Sequence, residues 1–323
     1  MKAAVYYETG APEVLKYEDV PDPACPPNGV LVDVKAISIE GGDTLNRGGG
    51  DMPSKPHIVG YQAGGIIREV GPEVSDFKVG DAVVATMAHG SHAAMFASPA
   101  YAVWKIPEGG DITAAACVPV AFGTADDCLF EFGRLKKGER VLIQAGASGV
   151  GLAAIQLAKR AGATVLATAS SSEKLERLKE YGLDHGINYR DEDFPKRVRK
   201  LTEGKGADLV VDSVGGQTLR GSIASLAYRG RAITVGHAGR EGDSMIDARA
   251  LMQGNQSLSG VFLGAEIAFN SQRTHPMIQR HIDDVTAGKL KVAVDRTFPL
   301  SEAAAAHAYI ESRQAFGRVV LVP

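Results

Sequence analysis

Residues 140–162, RVLIQAGASGVGLAAIQLAKRAG, constrain the fold more than any other stretch of the chain. A short apolar run of β character enters a glycine-rich turn, Gly146-Ala-Ser148-Gly149-Val150-Gly151, and leaves it as a helix closed by Gly162. The first turn of a helix carries N–H groups with no partner inside the helix, and a turn of small residues lets an anion approach them. This is the order of a Rossmann phosphate loop, with Ala145, Gly146, Ser148, Gly149, Val150 and Gly151 as candidate dinucleotide contacts and Ser148 in the place of the middle glycine. An isolated glycine triplet would read equally well as an ordinary tight turn. Here three further β runs follow at 164 (TVLATA), 207 (ADLVVDS) and 231 (RAITVG), alternating with helical patterns. Such alternation predicts an α/β fold with a parallel sheet covered by helices on both faces.

About 20 residues beyond a phosphate loop, a site for NAD places an acidic residue against the ribose 2′-hydroxyl. This chain has Ser170-Ser171-Ser172-Glu173-Lys174 there. Hydroxyls and an ammonium satisfy a 2′-phosphate, so the segment points to NADPH, with Ser170, Ser171 and Lys174 as its contacts. The competing reading is a helix capping box of Ser170 with Glu173, which would leave Ser171 and Lys174 for the phosphate.

Before residue 120 the texture is different: β-like runs such as LVDVKAIS at 31–38, GGIIREVG at 64–71 and DAVVATM at 81–87 lie between Gly and Pro punctuation. This predicts an all-β unit with long loops. Beyond about residue 265 come an amphipathic helix over Pro276–Ala287, a helix from Ser301 and a terminal strand, RVVLVP, too little for a separate domain. The 35 basic and 38 acidic residues leave a net charge of -3 with no block of either sign, which argues against nucleic acid and membrane surfaces as partners. Three cysteines, Cys25, Cys117 and Cys128, have no CxxC spacing and fit neither a disulfide framework nor a zinc cluster. A reducing cytoplasm is expected, and MKAAVYYETGAPE lacks the apolar run of an export signal.

Taken in order, MKAAVYY, VGYQAGGIIREVGPEVSDFKVGDAVVA, the glycine loop, GINYRDEDF, ADLVVDSVGG and the closing FGRVVLVP make the chain resemble the medium-chain dehydrogenase/reductase superfamily, in its zinc-free quinone oxidoreductase, zeta-crystallin-like branch. The resemblance covers nearly the whole chain. It implies a GroES-like β domain formed by residues 1–123 and 266–323, with the Rossmann domain inserted at 124–265. Zinc-dependent members carry an early Cys and a Gly-His-Glu as metal ligands. Here those segments read Ser38-Ile-Glu40-Gly-Gly-Asp43 and Gly60-Tyr61-Gln62, so no metal is expected. His57, His89 and His92 lack a helical ligand spacing and are read as exposed loop residues.

Without a Lewis acid the resemblance implies hydride delivery to an acceptor that delocalises its own charge, a quinone first and an α,β-unsaturated carbonyl second. A non-catalytic NADPH-binding role of the crystallin kind is the alternative outside enzymology. Glu40 stands where many members have Asn; it reads either as a proton relay or as a structural carboxylate paired with Arg47. Tyr61, in the vacated metal position, reads as a hydroxyl for the reaction or as a packed aromatic, and Thr124 as a residue behind the nicotinamide or as a helix-start threonine. Tyr189 corresponds to a tyrosine beside the 2′-phosphate, with core packing as the alternative. Gly236, His237 and Phe262 fall where family members touch the nicotinamide half, and Arg318 either reaches the cofactor or is a surface cation. The superfamily commonly pairs Rossmann sheets edge to edge, and SLSGVFLG at 257–264 is the candidate edge, which implies a homodimer or a tetramer built from dimers.

Overall fold

The computed structural model describes residues 1–242 and 245–323. The chain divides into two compact units, one of Met1–Gly123 with Gly264–Pro323 and one of Thr124–Leu263.

In the second unit, the apolar runs form a six-stranded sheet whose strands are all parallel. In chain order these are Arg140–Ile143, Thr164–Ala169, His185–Asn188, Ala207–Asp212, Leu226–Thr234 and Ser257–Gly260. Their order across the sheet is 3-2-1-4-5-6, the doubly wound arrangement in which the first and fourth strands flank the point where winding reverses. Val141, Leu142 and Ile143 are fully buried, as are Leu209 and Val210, because helices cover both faces of a parallel sheet. Ser257–Gly260 is an edge strand, paired among the described residues only with Leu226–Thr234.

In the first unit, Gly29–Ser38 is the central strand of a seven-stranded mixed sheet; it pairs with Gln62–Val70, with Met95–Pro99 and with the terminal strand Arg318–Val322. The register sets Val320 opposite Ser38, which brings the end of the chain to the start of the Glu40 segment. A core of Val30, Val32, Ile37, Ile67, Val83, Phe96 and Leu321 packs within this unit. The unit is not all-β. Residues Gly41–Gly49 form a helix, although four of the nine are glycine. It holds because the Asp43 carboxylate accepts the backbone N–H of Glu40 at its start (2.8 Å) and the buried Arg47 anchors its end. The amphipathic helix near the C-terminus begins earlier than its pattern suggests, at Ser271 with Pro276 inside it, and runs to Thr286.

Two of the three loop histidines are interior. His57 packs edge-on against Tyr6 and beside His89, and His92 lies against Gly60 with its Nε2 3.0 Å from that of His307. Only His89 is exposed, and burial pushes His92 down to about 3, so the His92 ring that meets His307 is neutral.

Candidate functional site

In the first unit, Glu40 is 3% exposed and its carboxylate accepts from three side chains. The Ser38 hydroxyl donates to it at 3.2 Å, the Gln62 amide at 3.0 Å, and the Arg318 guanidinium forms a closer ion pair with the same oxygen. Arg318 also donates to Ser38 Oγ (3.0 Å from Nε) and to the Ile39 carbonyl (2.9 Å). Gln62 completes the cluster: its Nε2 donates to the Ala116 carbonyl at 2.7 Å and its Oε1 accepts the Val120 N–H at 2.6 Å. Burial pushes the Glu40 carboxyl above its ordinary range, against the pull of Arg318 and Ser38. Burial also pushes Asp43 well above its ordinary value, and the neighbouring Glu40 charge adds to the rise.

Glu40 therefore does not pair with Arg47. Seven residues along, Arg47 has turned away on the helix to donate to the Gly10 carbonyl and to Glu311. Nor is Arg318 a surface cation: it is 7% exposed, because its strand runs beside Gly29–Ser38 and aims it at Ser38. Tyr61 is half-buried, with its hydroxyl standing over Gly42 so closely that a Cβ there would lie 2.6 Å from it. Burial, with the charges of Asp43 and Glu40 behind it, holds the Tyr61 phenol well above its ordinary value, so at neutral pH it is a proton-bearing donor.

In the second unit the glycine loop has the geometry of an anion cradle. Ser148 caps the helix Gly149–Arg160, its Oγ accepting the Gly151 N–H at 3.0 Å. Gly151 has no room for a side chain: a Cβ would meet the carbonyl oxygens of Ala145 at 2.4 Å and of Gly146 at 2.7 Å. Ala145 is held in the left-handed region at φ +50. This cradle fits a dinucleotide pyrophosphate, since small residues leave the loop backbone open and the helix start faces it.

The other candidates of this unit follow the carboxyl ends of the parallel strands. Ser170 and Ser171 follow the second, Tyr189 the third, Gly236 and His237 the fifth, and Phe262 the sixth. The helix Ser172–Leu178 is capped by Ser171, whose Oγ accepts the Lys174 N–H at 3.3 Å, and not by Ser170 with Glu173. The cap lies one residue later because Ser170 ends the strand turn and Ser171 has the extended backbone a cap requires. Tyr189 is 41% exposed and so is no core residue, and Phe262 is 75% exposed. Thr124 is buried inside the helix Val118–Asp126 and not at its start.

Sequence reading named Gln62 only as a poor metal ligand and did not anticipate the role of Ser38. The available signal was a polar residue at one end of each strand beside apolar neighbours, Ser38 after Ala36-Ile37 and Gln62 before Ala63.

Residues 26–121 match the family model described as "Alcohol dehydrogenase GroES-like domain" and residues 149–280 the one described as "Zinc-binding dehydrogenase". The donors here do not fit the metal in that second description: Glu40 is neutralised by Arg318, and both ends of the Gln62 amide are spent on protein partners. A 2-haloacrylate reductase of Burkholderia sp is 34% identical over 99% of this chain and 98% of its own length. A quinone oxidoreductase of Pseudomonas aeruginosa is 33% identical over 97% of each. The Escherichia coli quinone oxidoreductase structure complexed with NADPH superposes with a TM-score of 0.94 at 30% identity, covering 100% of both chains. The polar cluster that replaces a metal set, the 3-2-1-4-5-6 sheet and these full-length matches together make the chain a member of the zinc-free quinone oxidoreductase branch of the medium-chain dehydrogenase/reductase superfamily.

Proposed function

We propose that the chain is an NADPH-dependent, zinc-independent oxidoreductase that reduces quinones. The observation that carries this reading is the closed Glu40–Arg318–Gln62 cluster, which leaves no open ligand set for a cation and presents the Tyr61 phenol as a neutral donor. An acceptor served by such a site has to delocalise incoming negative charge itself, as a quinone does. When bound, NADPH supplies a hydride. The chain's own residues hold its pyrophosphate on the 145–151 loop and its 2′-phosphate at Ser170, Ser171 and Lys174, and Thr124, Tyr189, Gly236, His237 and Phe262 are its remaining proposed contacts. A second reading, reduction of α,β-unsaturated carbonyls, is favoured by the Tyr61 hydroxyl, a proton source for the α carbon, and by the kinship with a 2-haloacrylate reductase.

Steady-state NADPH consumption against quinone and enone panels tests both, with Tyr61→Phe as the discriminating variant. The expected result is quinone turnover that survives the substitution. Enone turnover that falls on the order of 100-fold in Tyr61→Phe would move the assignment to the second reading. Tight NADPH binding with no turnover of either class would leave a non-catalytic role.

Cofactor choice has its own test. A 2′-phosphate gains roughly 1.5–3 kcal/mol from each well-placed charge-assisted hydrogen bond. Lys174→Ala is therefore expected to raise the KM for NADPH by about tenfold or more and to leave NADH nearly unaffected. Ser171→Asp is expected to shift preference towards NADH by charge repulsion. Measurement of kcat/KM for both cofactors at one ionic strength decides, and equal losses for both would show that the segment only holds its helix in place.

The exposed edge strand Ser257–Gly260 is the surface on which we place a second copy, giving a homodimer or a tetramer built from dimers. No helix among the described residues is long and apolar enough to cross a membrane, and the free thiols Cys25, Cys117 and Cys128 support a cytoplasmic assignment.

A further inference from the structure

Beneath the glycine loop of the second unit runs a single-file chain of buried hydrogen bonds. The Ala145 N–H donates to Thr168 Oγ1 at 3.2 Å, and the Thr168 hydroxyl donates to Gln144 Oε1 at 2.7 Å. Gln144 Nε2 donates to Ser222 Oγ at 3.0 Å, and the Ser222 hydroxyl donates to Asp212 Oδ2 at 2.7 Å. The other carboxylate oxygen of Asp212 accepts the N–H groups of Val214 and Gly215, each at 2.8 Å. None of the four side chains is more than 3% exposed.

We propose that Thr168, Gln144, Ser222 and Asp212 act as one positioning relay that holds the cofactor loop in its binding shape. The placement supports this. Gln144 follows the first strand of the sheet and Asp212 ends the fourth, the two that flank the reversal of winding, where a doubly wound sheet opens its ligand crevice. The relay thus ties together the two loops that line that crevice, at Ala145–Gly151 and at Val214–Gly216. Both loops need tying: Ala145 has φ +50 without being glycine, and Gly215 and Gly216, at φ +75 and +53, are unstrained but have the most backbone freedom to lose.

Every bond of the relay points the same way, towards Asp212. Ser222 donates to one of its oxygens while the other accepts two backbone N–H groups. Ser222 then accepts from the Gln144 amide, which fixes the amide orientation and leaves Oε1 to take the Thr168 proton. The Thr168 oxygen is thereby free to accept from Ala145, and each bond polarises the next. Asp212, some distance along the relay from the loop, in this way fixes the acceptor that meets the strained Ala145 N–H.

The inference rests on the dinucleotide reading above, so its test has one readout that needs no cofactor. The variants are Thr168→Val and Ser222→Ala, singly and together, with Thr168→Ser as the conservative control. In the apo protein, amide hydrogen exchange across 144–149 is expected to speed up about tenfold in either single variant and to stay at the wild-type rate in Thr168→Ser. For NADPH, the Kd is expected to rise roughly five- to tenfold in each single variant. The double variant is expected to match the singles, because one break already disconnects the relay. Multiplying losses in the double variant, or a Ser222→Ala whose loop exchange is unchanged, would overturn the relay. Wild-type protein that fails to bind NADPH would overturn the cofactor reading instead, while the exchange data would still decide on the relay.

Discussion

Arg318→Met is expected to destabilise the first unit by roughly 3–5 kcal/mol, the range for breaking a buried ion pair from one side. The loss comes from what stays behind: Glu40, 3% exposed, would keep the Ser38 and Gln62 donors but no counter-charge. The effect carries a pH signature. In the folded wild type, burial already holds the Glu40 carboxyl above its ordinary value although Arg318 pulls it down. A carboxyl raised on folding stabilises most below its unfolded pKa, and that contribution is lost as pH rises through the interval up to the folded pKa. Removing Arg318 widens the interval. The stability gap between wild type and variant should therefore be small near pH 4.5 and grow towards pH 8. Calorimetric unfolding at the two pH values measures it, with a fall of roughly 6–20 °C in the unfolding temperature expected at the higher one. Adding Glu40→Gln to Arg318→Met should restore part of the loss, because the pair then leaves the core together. Equal losses at both pH values would mean that Arg318 contributes packing alone.

That the pair was missed in the sequence follows from how it is built. Glu40 and Arg47 are seven residues apart, and local spacing suggested their pairing. The true partner is separated by 278 residues and arrives only because the terminal strand lies antiparallel to Gly29–Ser38. No periodicity within either segment reports a contact made by sheet register. The helix Gly41–Gly49 was hidden for a related reason: its glycines read as loop, and what overrides them is a buried Arg47 anchored to Gly10 and Glu311. His57 and His92 were misread because polar character in a loop suggests exposure, whereas tertiary packing supplied Tyr6 and His307 as partners.

The Rossmann unit was legible because its information is local. Strand, glycine turn and capped helix are contiguous at 140–162, and the structure reproduces each in that order. The apolar pattern does not report Gln144, a buried polar side chain just past the end of a parallel strand that has to find a partner, and finds Thr168 and Ser222.

Gly151 shows how strictly that local information is enforced, and Gly151→Ala is the substitution expected to do most harm to cofactor binding. The new Cβ would stand 2.4 Å from the Ala145 carbonyl and 2.7 Å from that of Gly146, and both are backbone atoms that no rotamer change moves. Ala145 cannot easily retreat, since it is already left-handed at φ +50 and its N–H is committed to Thr168. The helix Gly149–Arg160 has to move away instead, which strains the Ser148 cap and withdraws the helix start from the cradle. Overpacking and a weakened cap together are expected to cost about 2–4 kcal/mol of stability. Affinity for NADPH is expected to fall on the order of 100-fold, equivalent to about 2.7 kcal/mol. Gly48→Ala is the control: it also lies in a helix, but nothing stands within 4 Å of its Cβ position, so stability should hold or rise slightly. Titration of NADPH by fluorescence, with thermal unfolding of the same samples, gives both numbers. Wild-type affinity in Gly151→Ala would mean that the helix start and the loop do not act together on the cofactor.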